Sequence, residues 1–217
     1  MISVYKLLSV LLLYPQPEWL AALNDIDEAV QQQLPEQAGS LKTLTDTLRQ
    51  GDLIELQEVY VNTFDRSPAH SLHLFEHLHG EDRARGQAMV DLLEEYGKYG
   101  VELDANELPD YLPLFLEFLS VCPADKAENL LGEAVHVIAH VGNQLAKSSS
   151  PYAAVFEALL SLSPITPQPL VVPPIRDMDE ALERFGPDAQ GLEPLLKQTS
   201  ATQPVQFMPG AARRQQN

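Results

Sequence analysis

Asp65-Arg-Ser-Pro-Ala-His70-Ser-Leu-His73-Leu-Phe-Glu76-His77-Leu-His79 holds four of the chain's six histidines and is its densest gathering of groups that could do chemistry. Inside it, His73-Leu-Phe-Glu76-His77 spells H-x-x-E-H. On a helix that spacing puts two imidazoles one turn apart on a shared face, where they can hold zinc while the glutamate serves as base. Glu133 or Glu157 could complete such a site from far downstream. The same spacing suits a blander arrangement, with His70, His73 and His77 as a solvated stripe opposite Leu72 and Phe75. The string is short and the chain small for a peptidase of that class. The favoured reading is a protein that is not an enzyme and holds no resident cofactor, and a zinc metallopeptidase using His73, Glu76 and His77 is the alternative.

Other catalytic patterns are missing. The chain has no G-x-x-x-x-G-K-[ST] phosphate loop, no G-x-G-x-x-G turn, no nucleophile elbow and no C-x-x-C pair. Glu107 and Asp110 could be assembled into an acid and a base, but such pairs are common in acidic proteins and are ordinarily structural. With 31 acidic against 14 basic side chains the net charge is −17, a field that repels phosphate backbones and anionic membrane faces. Nucleic acid is therefore excluded as the expected partner, whereas the basic terminus of another protein would be drawn in. The single Cys122 reads as a small core hydrophobe in a reducing compartment. Ile2 to Leu13 is apolar behind Lys6, but its uninterrupted stretch is short and Pro15, Pro17 and Glu18 follow directly, so it reads as a helix and not as an export leader. No stretch reaches the ~20 apolar residues of a spanning helix. The expectation is a cytoplasmic chain without direct membrane insertion.

Helices must position these groups, because helix-period patterning recurs along the chain and alternating runs joined by hairpin signals are absent. The fold class expected is all-α. The patterning predicts helices over about 2 to 13, 17 to 34, 38 to 49, 52 to 63, 68 to 79, 81 to 99, 110 to 121, 124 to 147 and 151 to 161. Pro17, Pro68 and Pro151 suit first helical turns, Ser67 and Ser150 stand ready as caps, and Gly80 and Gly100 sit where helix ends prefer glycine. Ala88, Leu92, Tyr96 and Tyr99 form one stripe, as on a surface helix. By contrast, Tyr111, Leu112, Leu114, Phe115, Leu116, Phe118, Leu119 and Val121 wrap almost the whole of the next helix, which should run through the bundle or line a groove.

After Leu162 the composition changes. Nine of the 17 prolines lie between Pro164 and Pro209, which gives a division into a helical domain over 1–162 and a Pro-rich, partly disordered tail over 163–217. Asp177 to Phe185 could form one short helix before Gly186-Pro187. The tail is nearly neutral, with 5 basic and 6 acidic residues, so the negative charge belongs to the helical part. It could be mobile or fold back over an apolar groove.

Four blocks point to a family. Tyr60-Val-Asn-Thr-Phe64-Asp65-Arg66, Ser71 to Glu81, Arg85 to Leu92, and Glu107-Leu-Pro-Asp110-Tyr-Leu-Pro-Leu-Phe-Leu-Glu117-Phe-Leu-Ser120 resemble the respiratory nitrate reductase assembly chaperones, the delta chain branch of the TorD-like chaperones. The resemblance covers about residues 2 to 160. It is most specific at Glu107, Pro109, Asp110 and Leu112, which match an E-x-P-D-x-L signature; many relatives carry histidine where this chain has Tyr111, so no role of that imidazole transfers. The resemblance implies a TorD-like helical bundle with a Pro-rich extension. It also implies a transient, system-specific complex with the amino-terminal segment of the apo catalytic alpha chain of nitrate reductase, maintained until iron–sulfur and molybdenum cofactors are inserted. A stable structural subunit is the other reading of such a chain.

A mechanism compatible with both lines is an amphipathic peptide laid into an apolar trough with a carboxylate rim. Tyr60, Phe64, Leu72, Phe75 and Phe115 would form the floor, and Asp65, Glu76, Glu107, Asp110 and Glu117 the rim, with His77, Pro109 and Tyr111 beside them. Aromatics at helical spacing are, alternatively, plain core, and Asp110 an ordinary helix cap.

Overall fold

The computed structural model describes residues 2–79, 83–103 and 107–170. Among them, ten α-helices run in the order α1 (Val4–Leu11), α2 (Pro17–Leu20), α3 (Leu23–Gln33), α4 (Ala38–Gln50), α5 (Leu53–Tyr60), α6 (Glu76–His79), α7 (Arg83–Lys98), α8 (Leu112–Val121), α9 (Ala124–Lys147) and α10 (Ala153–Leu162). The all-α class is as expected. The one sheet-like pairing among the described residues is an isolated antiparallel bridge between His73 and Tyr111. The region expected to form one further short helix, Asp177 to Phe185, lies outside the described residues, as do Gly80 and most of the tail.

The core forms around helices that are apolar on more than one side. α1 packs on α8, α3 and α10, and its Leu8 and Leu11 are wholly buried, as is Leu12 just beyond it. Ser9, also buried, donates its hydroxyl to the Pro113 carbonyl at 2.7 Å, which ties α1 to the first turn of α8 and leaves no polar group stranded. α8 buries Leu112, Pro113, Phe115, Leu116, Phe118 and Leu119, so the helix expected to run through the bundle does so. α9 packs along α10 so closely that a Cβ on Gly142 would stand 2.8 Å from Phe156 Cβ. Only glycine fits there without displacing backbone.

Helix ends follow local chemistry in part. Pro17 and Pro68 occupy first-turn positions, the Asp52 carboxylate accepts the Ile54 N–H at 2.9 Å to cap α5, and Gly100 takes φ +71° after α7. Ser67 makes no side-chain cap, and α10 starts after Tyr152, so Ser150 caps no helix either.

Two expected helices are broken. The span 17 to 34 divides at Ala21-Ala22 into α2 and α3. The span 68 to 79 is not a helix: Pro68–His70 is a single 3-10 turn, the chain extends through the bridge at His73, and α6 begins only at Glu76. Between α5 and that turn, Val61–Asp65 is a π turn, closed by the Arg66 N–H donating to the Val61 carbonyl at 3.0 Å.

Candidate partner-binding site

Two segments far apart in sequence meet at the bridge. The Leu72 carbonyl accepts the Leu112 N–H at 2.8 Å and the Asp110 carbonyl accepts the Leu74 N–H at 3.0 Å. At their meeting point the Asp110 side chain is wholly enclosed, 0% exposed. One of its oxygens accepts the Phe75 N–H at 3.1 Å and the other faces His73 Nδ1 at 3.3 Å. Arg85 Nη2 stands 3.8 Å away and also donates to Glu76 at 3.1 Å. A buried carboxylate is tolerated only when hydrogen-bonded and charge-balanced, and here it is both. Asp110 is therefore neither groove rim nor helix cap: α8 has Tyr111 at its N-cap position, and the carboxylate pins the Ser71–Glu76 turn.

The histidines take separate environments. The hydrogen bond to Asp110, against partial burial, holds His73 above the ordinary imidazole range. Burial pushes His77 below it, opposed by the bond that its Nε2–H donates to the Ser71 carbonyl at 2.9 Å. His77 is 2% exposed, so the solvated stripe is not present. The zinc-helix premise fails on the backbone, because His73 lies on the extended bridge and not one helical turn before His77. Among the described residues no group of three or more His, Cys, Asp or Glu could hold a metal ion.

Chemically the cluster is a structural clamp. His73 and Asp110 form the base and orienter of a possible relay, but Ser71, the hydroxyl beside them, donates instead to Glu76 at 2.5 Å and accepts the His73 backbone N–H at 3.2 Å.

The expected trough floor is closed. Tyr60, Phe64, Leu72 and Phe115 are 3%, 4%, 3% and 4% exposed and belong to the core. Tyr60 packs edge-on to Tyr14 and Tyr152 and tilted against Phe64, while its hydroxyl donates to the Leu12 carbonyl at 2.9 Å and lies 3.1 Å from the Tyr111 hydroxyl. Burial raises the pKa of Tyr60, Tyr96 and Tyr152, keeping all three phenols neutral. Pro109 is buried, and its carbonyl accepts the Tyr96 hydroxyl at 2.7 Å, which fastens the turn before α8 to α7. Phe75, Glu76 and Tyr111 are half-buried; Asp65, Glu107 and Glu117 are exposed, with Glu117 paired to Lys6 at 2.5 Å.

Ser71 and Arg85 belong to the cluster although neither stands among the candidate site residues. Their signal is weak, because a serine two residues before His73 and an arginine twelve residues after it show no relation to Asp110 until the chain is folded.

The clamp joins the blocks that carry the resemblance, and all of them lie inside the stretch that a family model matches. The family model for the nitrate reductase delta subunit matches residues 25–158. The chain belongs to the nitrate reductase delta subunit family. Within it, the chain is 40% identical over 161 residues to a protein of Escherichia coli K12 named as a probable nitrate reductase molybdenum cofactor assembly chaperone, NarW, covering 74% of this chain and 68% of that one. It is 40% identical over 160 residues to the assembly chaperone NarJ of the same organism, covering 72% and 68%. It is 32% identical to a protein of Bacillus subtilis named as a probable nitrate reductase molybdenum cofactor assembly chaperone, NarJ, covering 72% and 86%. A redox enzyme maturation protein from Archaeoglobus fulgidus shares the fold at TM-score 0.55 and 24% identity, over 72% of this chain and 90% of that one. These relatives are named as assembly proteins, not as catalysts. Among the described residues no helix is long and apolar enough to cross a membrane.

Proposed function

We propose that this delta-family chain is the system-specific chaperone of a respiratory nitrate reductase. It binds the amino-terminal segment of the apo catalytic alpha chain in the cytoplasm, keeps that chain receptive while molybdenum cofactor is inserted, and leaves before the enzyme docks to its membrane anchor. The observation that carries this reading is the 40% identity, over 161 residues, to an Escherichia coli protein named as a probable nitrate reductase molybdenum cofactor assembly chaperone. The cofactor is cargo of the partner, not a resident of the chaperone.

Burial divides the labour among the candidate residues. Asp65, Phe75, Glu76, Glu107, Tyr111 and Glu117 retain exposed surface and meet the partner. Tyr60, Phe64, Leu72, His77, Pro109, Asp110 and Phe115 act from beneath by fixing the segments that present them. The acidic surface steers a basic chain end and apolar contact retains it.

The test is capture from cells that make the apo alpha chain, using the tagged full chain as bait. Recovery of the alpha chain, lost when its amino-terminal segment is deleted, is the expected result. Absence of the alpha chain from the captured material, or a fixed ratio of this protein in the mature purified enzyme, would count against the reading.

A further inference from the structure

Just past α10, the described residues Ser163–Leu170 stay against the bundle. Ser163–Leu170 contains Pro164, Pro167 and Pro169, forms no helix, and lies along α9. Ile165 sits over Gly132 so closely that a Cβ there would stand 2.7 Å from Ile165 Cδ1. One helical turn on, the Gln168 N–H donates to His136 Nδ1 at 2.9 Å. Leu170 packs against the core. The strap thus runs alongside α9 in the same chain direction, meeting it first at Gly132 and then at His136.

The fit is incomplete. Between α6, α9 and the strap remains a cleft of about 290 Å³ lined by His77, Leu78, Glu133, His136, Val137 and the strap's Gln168, Pro169 and Leu170. Leu78 is left 41% exposed at its edge and Ile165 45% exposed over Gly132. Among the described residues the strap meets this apolar groove through the Gln168 bond and the side chains of Ile165 and Leu170, and a chain end with larger apolar anchors would fill it better. Exposed Glu133 at its border favours a basic residue flanking those anchors.

We propose that Ser163–Leu170 is an intramolecular occupant of the groove between α6 and α9, and that the apolar part of the partner's amino-terminal segment docks there by displacing it. The proposal rests on the functional reading above and assigns the apolar contact that the sealed aromatic cluster does not offer. The strap acts as a competitor built into the chaperone, lowering affinity by the fraction of time it occupies the groove.

The experiment compares the full-length chain with a double variant, Ile165→Asp with Gln168→Pro. The first change removes the contact over Gly132. The second deletes the N–H that reaches His136 and suits a segment already flanked by Pro167 and Pro169. Calorimetric titration with a synthetic peptide of the alpha chain's amino-terminal segment should show the variant binding about three- to ten-fold tighter. Hydrogen exchange of the wild-type chain, read by mass spectrometry, should show residues 163–170 deprotected and α9 protected once the peptide is bound. Equal affinities, or a strap whose exchange is unchanged at saturation, overturn the strap while leaving the chaperone reading intact. A peptide that binds neither protein overturns both.

Discussion

Asp110 concentrates in one side chain what holds the candidate site. It receives a backbone N–H from Phe75, faces His73 and lies near Arg85, all out of water. Removing it takes away the acceptor of the Phe75 N–H and the carboxylate that faces His73 and Arg85, so Asp110→Ala should cost about 3 kcal/mol in urea unfolding. The two histidines beside it pull stability in opposite directions with pH. His77 is held below its ordinary value of 6.5, so between that value and its folded one the unfolded chain binds more protons; its full contribution stands above about pH 6.5 and is lost as pH falls. His73 is held above 6.5, so its contribution is full below that pH and is lost as pH rises through the folded value. Thermal melts between about pH 5 and 8 should therefore show His77→Gln removing an acid-side loss and His73→Gln removing an alkaline-side one. At this scale the sequence singled out Asp110, His73 and His77, but neither their roles nor their partners Ser71 and Arg85. Asp110 looks like a helix cap or a groove edge in one dimension, and only the bridge from His73 to Tyr111 places it inside.

Helices set by strong periodicity were legible, and the irregular segment between α5 and α7 was not. Leu112 to Val121 is apolar on nearly every side, which pointed to the middle of the bundle or a groove wall, whereas 68 to 79 has helical spacing but folds as a turn, a bridge and a short helix. Backbone bonds to Leu112 and Asp110, which no local pattern announces, outweigh its helical preference there. Close approach between helices was equally hidden, and it makes one substitution act with opposite signs at two sites. Gly142→Ala should lose about 1–3 kcal/mol, because the new methyl meets Phe156 Cβ and cannot be relieved by rotating a side chain. Gly86→Ala, in α7 with nothing within 4 Å, should gain up to about 1 kcal/mol from helix propensity alone. Chemical denaturation of both variants checks the pair, and two changes of equal sign would contradict the packing described.

For the molecule as a whole, fold class and family were readable because they are carried by charge, periodicity and motif blocks spread along the chain. The binding surface was not, since aromatic residues that spell a groove in sequence turn out to be the core that shapes it. The net charge of −17 still has a direct consequence. Association with a basic amino-terminal peptide, followed by stopped-flow fluorescence, should slow as salt is raised through 0.1 M, where screening acts over about 10 Å, while dissociation changes much less. A flat salt dependence would mean that surface carboxylates do not steer encounter.

The bridge between His73 and Tyr111 also closes a ring of chain. The described residues of α6, α7 and the turn before α8 lie between the two jaws of a clasp, the Ser71–Glu76 turn and Asp110, with Tyr96 as an inner stay and the Glu95–Lys126 pair as an outer one. Such a lariat should open as one cooperative unit: its amides should share a single opening free energy in native-state exchange, below that of α1 and α8, and loosening the clasp should release α7 while the rest of the bundle stays folded.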